Sequence, residues 1–261
     1  MFLSDFDKKL SKDFLNQGYI IRPVKEINLL KKISNTIVQN SSRILKKKLN
    51  NPAKWFNDTH KSVSPEKLNN FRLSLYKAIN KEKFFRQSYF NLAQTYIESL
   101  VGNELVMQNR VNLSIQLPND SSSLLPLHSD TWSGDSPFEI VVWLPLVDCY
   151  KTKSMFILDP KKSSKFYRDF NNNGSKSSNQ IFNKIKKDLK WIDVKYGEVL
   201  LFNQSLPHGN VINQEKSTRW SMNCRFKSLF SPYGDKKLGE FFEPITVRPA
   251  TEVGIAYKEP S

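Results

Sequence analysis

The run Arg219-Trp220-Ser221-Met222-Asn223-Cys224-Arg225-Phe226 alternates without a break between polar and apolar side chains. Successive residues of a strand point to opposite faces, so Arg219, Ser221, Asn223 and Arg225 share one side and Trp220, Met222, Cys224 and Phe226 the other. A strand of this kind needs cover for its apolar side, and its row of two arginines and two polar groups suggests a polar interior. Apolar runs at 106–117, 139–147, 155–158 and 198–203 read as further strands. Short strands folding into two facing sheets make a jelly roll.

Upstream, Ile27, Leu30, Ile33, Ile37 and Val38 recur at helical spacing, as do Phe85, Tyr89, Leu92, Tyr96 and Leu100. Ser64-Pro65-Glu66 opens another helix in capping order, and Gly102 stands where a helix should end. The expected layout is one domain. Residues 1–103 form a mainly helical N-terminal region. Residues 104–230 form the β core, with a Lys-, Asn- and Ser-rich insertion at 161–190 centred on 171–174. Residues 231–261 form a tail that packs on the core. Composition reads the insertion as a solvated or flexible lobe able to close on substrate.

The chain holds three histidines, and two fall in one constellation: His128-Ser129-Asp130, then His208 eighty residues on, then Arg219 eleven further. On an extended segment positions 128 and 130 project the same way, so an imidazole and a carboxylate grip one ion from neighbouring corners. His208 supplies the second imidazole, from a turn after the apolar run at 198–203. Two nitrogens and one carboxylate oxygen on one face of an octahedral ion suit non-haem Fe(II), which needs open positions; zinc is the rival metal. His60 stands outside any ligand spacing.

With these residues the chain resembles the Fe(II)/2-oxoglutarate-dependent oxygenases, most closely their phytanoyl-CoA dioxygenase-like branch. Residues 14–21 look like that branch's opening strand, His128-Ser129-Asp130 like its metal motif, residues 143–148 like its next core strand, and His208 with Arg219 like its closing pair. Residues 128–158 are also similar to oxygenases of bacterial surface-carbohydrate biosynthesis clusters. The chain departs from many members in having Thr152-Lys153-Ser154-Met155 and Asp159-Pro160-Lys161-Lys162 where a glycine-rich stretch stands. The resemblance implies a double-stranded β-helix with iron at its open end.

It also implies 2-oxoglutarate as co-substrate and O2 as oxidant, giving succinate, CO2 and a hydroxylated small metabolite. His128, Asp130 and His208 hold the metal on this reading, and Arg219 takes the distal carboxylate, whose geometry a guanidinium fork matches. Ser221 adds a hydroxyl, and Gln116 and Asn112, from the polar side of residues 110–117, touch the same co-substrate. The turn-rich segment 131–138 forms a loop over the site, with Trp132 and Asp135 as substrate contacts. Arg225 faces the same pocket, either holding an anionic substrate group or making a structural salt bridge.

Composition narrows the partners. No uninterrupted apolar stretch reaches the roughly twenty residues of a membrane helix, and Met1-Phe2-Leu3 runs into charged residues, so a soluble cytoplasmic protein is expected. Cys149 and Cys224 are too few for a disulfide framework and read as reduced, packed thiols. The net charge of +15 raises the question of nucleic acid, and a demethylating oxygenase of the same superfamily is the alternative it supports. Lysine outnumbers arginine 31 to 9, however, as codon bias from an AT-rich genome produces, and no aromatic and basic lid is evident. A basic surface attracts small anions all the same, including nucleotide-linked sugars and acyl thioesters. A jelly-roll binding module without turnover is the third reading, because fold alone never establishes activity.

Overall fold

The computed structural model describes residues 2–168 and 177–259. Ser4 starts α1 (Asp5–Gln17) by accepting the Asp7 amide, and Gly18 ends it at φ +77°, its N–H donating to the Phe14 carbonyl. A Cβ on Gly18 would lie 2.1 Å from Leu206 Cδ1, so both the left-handed backbone and the lack of space demand glycine. β1 (Tyr19–Pro23) follows. The opening strand expected at 14–21 is therefore helix in its first part and strand only from Tyr19.

Helices fill most of the next eighty residues: α2 (Ile27–Leu45), α3 (Pro52–Asp58), α4 (Pro65–Ile79), α5 (Lys83–Asn91) and α6 (Gln94–Val101). The periodic run from Phe85 to Leu100 is two helices rather than one. Lys25 donates its amide to the Leu92 carbonyl, and Ala93 leaves helical geometry at φ −130°. The apolar run at 106–117 is likewise two strands, β2 (Leu105–Gln108) and β3 (Asn112–Gln116). Asn80, at the end of α4, clamps Val111 between them, accepting its N–H at 2.8 Å and donating to its carbonyl at 3.0 Å.

The remaining elements are β4 (Ile140–Pro145), β5 (Met155–Leu158), α7 (Pro160–Arg168), α8 (Ser178–Ile185), β6 (Leu189–Ile192), β7 (Glu198–Asn203), β8 (His208–Gly209), β9 (Arg219–Ser228), β10 (Phe242–Thr246) and α9 (Pro249–Ala256). They make two antiparallel sheets. The larger runs β1-β7-β4-β9-β2-β10, with β3 also on β9, and the smaller runs β6-β5-β8. β9 is the spine of the larger sheet: Arg219 pairs with Gln116, Ser221 with Ser114 and Asn223 with Asn112, while Asn223 and Arg225 also lie opposite Trp143 and Val141 of β4.

The apolar face of β9 packs outward on the helices. Trp220 is enclosed by Trp55, Phe56 and Phe71, its Nε1 donating to Thr59 Oγ1 at 2.9 Å, and Phe226 meets Phe90. Tyr89 donates to the Val142 and Met222 carbonyls, pinning α5 to the seam between β4 and β9. The polar face is left to the interior, as the alternation requires.

The insertion corrects its compositional reading. Residues 171–174 at its centre lie outside the described residues, but α7 and α8 on either side are helices. Their Phe166, Ile181 and Ile185 are buried with Phe156 and Leu158 of β5, covering the smaller sheet. The tail adds β10 to the edge of β2, with Phe242 fully buried. Among the described residues no helix is long and apolar enough to cross a membrane. Cys149 and Cys224 are both buried and unpaired, and burial pushes each thiol up to about 12.

Candidate metal centre and its cavity

His128 and His208 are brought face to face by backbone pairing. Each donates its amide to the other's carbonyl, at 2.9 and 2.8 Å, so residue 128 extends the edge of β8 and the two rings stand 4.3 Å apart. Both rings are fixed from behind. Nδ1 of His128 lies 2.7 Å from the Pro126 carbonyl and Nδ1 of His208 lies 2.8 Å from that of Leu206. A carbonyl can only accept, so Nδ1 carries the proton in each ring and Nε2 is turned to the centre. Asp130 Oδ1 lies 3.4 Å from His128 Nε2 and 3.8 Å from His208 Nε2. One ligand atom from each residue falls within 4.8 Å of the others, and no other such group occurs among the described residues.

Asp130 Oδ2 is held by Arg225 Nη2 at 2.8 Å. That bond leaves Oδ1 alone to face the imidazoles. Arg225 is fixed in turn by Gln204 Oε1 at 2.9 Å and by Asp135 Oδ1 at 3.2 Å, and Asp135 also pairs with Lys236 at 2.5 Å. Burial opposes the Asp130 charge, but the neighbouring His128, His208 and Arg225 outweigh it and hold the carboxyl well below the usual range. Burial and the charge of His128 push His208 down to about 4, which keeps it neutral and ready to ligate. Burial also lowers His128, but Asp130 and the Pro126 carbonyl more than offset it.

The triad sits in a cavity of about 240 Å³ between the two sheets, lined from the larger by Asn112, Ser114, Val141, Trp143, Phe202, Arg219, Asn223 and Arg225, and from the smaller by Met155, His208 and Gly209. Arg219 is 2% exposed and, among the described residues, has no carboxylate within ion-pair distance. Nη2 donates to Ser114 Oγ at 3.0 Å and Nη1 to the Ser154 carbonyl at 3.4 Å, while Nε has no partner. A buried guanidinium with only neutral acceptors is costly to keep, and burial accordingly lowers its pKa.

The other expected site residues divide. Asn112 lines the cavity and donates to Asn223 at 3.0 Å. Gln116 and Ser221 are fully buried beside Arg219 but do not line the cavity, and Gln116 Oε1 and Ser221 Oγ lack partners. The hydroxyl touching Arg219 is Ser114. Trp132 does not line the cavity: its ring packs on Phe166 at 6.3 Å and edge-on to Tyr167 at 6.4 Å, because α7 lies outside the 131–138 segment. Asp135 does not line the cavity either: its buried carboxylate pairs with Lys236 through Oδ2 and lies beside Arg225, with Oδ1 accepting no hydrogen bond. Arg225 lines the cavity as the structural ion pair of Asp130 and Asp135. His60 is bound to Thr218 Oγ1 at 3.0 Å, away from the triad.

Sequence reasoning missed Gln204, which ties Arg225 to Glu139, and the cavity walls Met155, Phe202 and Asn210. Asn223 and Ser114 each carried a signal, on the polar faces of their strands.

No protein-family profile and no curated protein sequence matches the chain. Solved structures do. HygX from Streptomyces hygroscopicus, solved with nickel and 2-oxoglutarate bound, superposes at a TM-score of 0.56 and 13% identity over 90% of each chain. A non-haem monooxygenase, ThoJ, in its nickel complex, superposes at 0.53 and 14% over 91% of this chain and 84% of its own. The non-haem α-ketoglutarate-dependent epimerase SnoN from nogalamycin biosynthesis superposes at 0.50 and 12% over 85% and 83%. At these identities the likeness establishes a shared fold: mixed helix and antiparallel sheet, built as in these non-haem enzymes.

Proposed function

We propose that the chain is a non-haem Fe(II)- and 2-oxoglutarate-dependent dioxygenase that hydroxylates a small polar metabolite, its two sheets wound as a double-stranded β-helix. The observation that carries this reading is Arg219: a buried, charge-unpaired guanidinium in the same cavity as two Nε2 atoms and one carboxylate oxygen. A dicarboxylate with one end on a metal and the other on Arg219 offsets that charge. The donor set suits the metal as well, because two neutral imidazoles and one carboxylate on one face leave the opposite positions open.

When bound, Fe(II) with 2-oxoglutarate and O2 supplies an oxidant able to attack an unactivated C–H bond, with release of succinate and CO2. The chain's own residues do the positioning. His128, Asp130 and His208 hold the ion, Arg225 keeps Asp130 to one ligating oxygen, and Arg219 with Ser114 anchors the distal carboxylate. Trp143, Met155 and Phe202 give the cavity dry walls that strengthen those charge contacts.

The substrate reading rests on a second observation. A cleft of about 480 Å³ shares Asn112, Ser114, Leu125 and Asn223 with the metal cavity and continues to Ser122, Ser123, Tyr76 and Arg72. Hydroxyl and amide groups along this path suit a hydroxyl-rich molecule, a sugar or a nucleotide-linked sugar of carbohydrate biosynthesis, with Arg72 placed for an anionic group. HygX has also been solved with hygromycin B bound. We place the reaction in the cytoplasm, in keeping with two unpaired thiols, and assign it no nucleic-acid partner.

The test is succinate release by purified protein with Fe(II), ascorbate and 2-oxoglutarate across sugar nucleotides, amino acids and acyl-CoA esters. One class should accelerate release, and Arg219→Met should abolish 2-oxoglutarate binding while metal still binds. Absence of both metal and 2-oxoglutarate binding in the wild-type protein refutes the reading.

A further inference from the structure

A second cavity, of about 590 Å³, lies between the α2–α3 side of the helical layer and the end of β4, and it shares no lining residue with the metal cavity. Its volume is within the range of small-molecule sites. At its inner wall is Lys153, on the short turn before β5 and 2% exposed. The ammonium donates to Ser217 Oγ at 2.7 Å and Asn57 Oδ1 at 3.1 Å, both cavity-lining residues. An ammonium has three donors, and no carboxylate lies within ion-pair distance of this one among the described residues.

The neighbouring charges do not supply the missing partner. Asp148 lines the cavity but is exposed, and its Oδ1 accepts the Tyr196 amide at 2.8 Å. Tyr150 offers only its ring, 5.8 Å from Nζ. Lys31, at the same cavity, adds a second positive charge. Beside these groups Phe56, 1% exposed, Pro52 and Leu146 give an apolar wall. A buried cation with neutral acceptors only is destabilising unless an anion joins it, and burial does pull this amine below its ordinary value.

We infer that this cavity is a second binding site, for a small organic carboxylate with an apolar body, its carboxylate on the free donor of Lys153 and its body against Phe56. The site is independent of turnover at the metal centre. Neither Arg219 nor any residue of the metal triad lines this cavity.

The experiment is isothermal titration of the full chain, free of metal, with phenylacetate and hexanoate against their neutral amides, phenylacetamide and hexanamide. The acids should bind at least about tenfold tighter than the amides, the worth of one charge-assisted hydrogen bond. Ala53→Trp places bulk at the cavity without touching the buried charge and should remove that binding. Lys153→Met should remove the preference for acid over amide, and should it not fold, Ala53→Trp decides alone. Equal affinity of acid and amide, binding unchanged in Ala53→Trp, or loss of binding in Arg219→Met would each overturn the inference, the last by placing the ligand on Arg219. Succinate release is read separately, so failure here leaves the oxygenase reading standing, and the reverse.

Discussion

Arg219 and Arg225 stand six residues apart on one face of one strand, yet their surroundings give them opposite tasks. Arg225 meets two carboxylates, those of Asp130 and Asp135, whereas Arg219 meets a hydroxyl and a carbonyl. The first positions Asp130, and the second carries a charge that no carboxylate among the described residues meets. Arg225→Lys keeps the charge but loses the fork that fixes Asp130 Oδ2, and removing such outer partners typically costs about 10–100-fold in metal affinity. Nickel titration should show that loss in Arg225→Lys, with circular dichroism unchanged, while Arg219→Lys should leave nickel affinity intact and weaken 2-oxoglutarate. At this scale the metal triad was legible because its spacing needs only strand alternation and one returning histidine. Trp132 and Asp135 were not. Their roles depend on α7 and on Lys236 of the tail, which no local pattern brings to the 131–138 segment.

Among the elements, β9 was readable to within two residues because its alternation reports two environments at once, helices on one side and cavity on the other. Trp220 is the keystone of the helical side, and Trp220→Ala should cost about 3–5 kcal/mol in urea denaturation, the usual range for an aromatic cut from a core. The breaks between β2 and β3 and between α5 and α6 were hidden for a common reason: neither has a glycine or proline at the break. A side chain, Asn80, and a distant amide, Lys25, take the backbone groups that would have continued the element. β8 escaped notice because two residues carry no periodicity, although the paired histidines depend on it. A Cβ at Gly209 would lie 2.8 and 2.9 Å from the carbonyl oxygens of Leu125 and Pro126. The Pro126 carbonyl holds His128 Nδ1, so Gly209→Ala should displace that ring and weaken nickel binding, with far less effect on 2-oxoglutarate binding to preloaded protein than Arg219→Lys produces.

For the molecule as a whole, the metal site joins segments eighty residues apart and bridges to the larger sheet through Arg225. An unfolded chain cannot present these three ligands together, so an ion that binds the triad binds the folded state and stabilises it by mass action. At one hundred times its dissociation constant the gain is about 2.7 kcal/mol, which for a chain of this size raises the melting temperature by roughly 5–10 °C. Thermal denaturation with and without nickel under argon should show the shift, and a chelator should reverse it. His208→Ala should melt at the same temperature with or without nickel, because the remaining imidazole and carboxylate leave a weak two-ligand site. A shift that persists in His208→Ala would mean that the ion stabilises through the exposed surface, and the converging triad would then not be the metal centre.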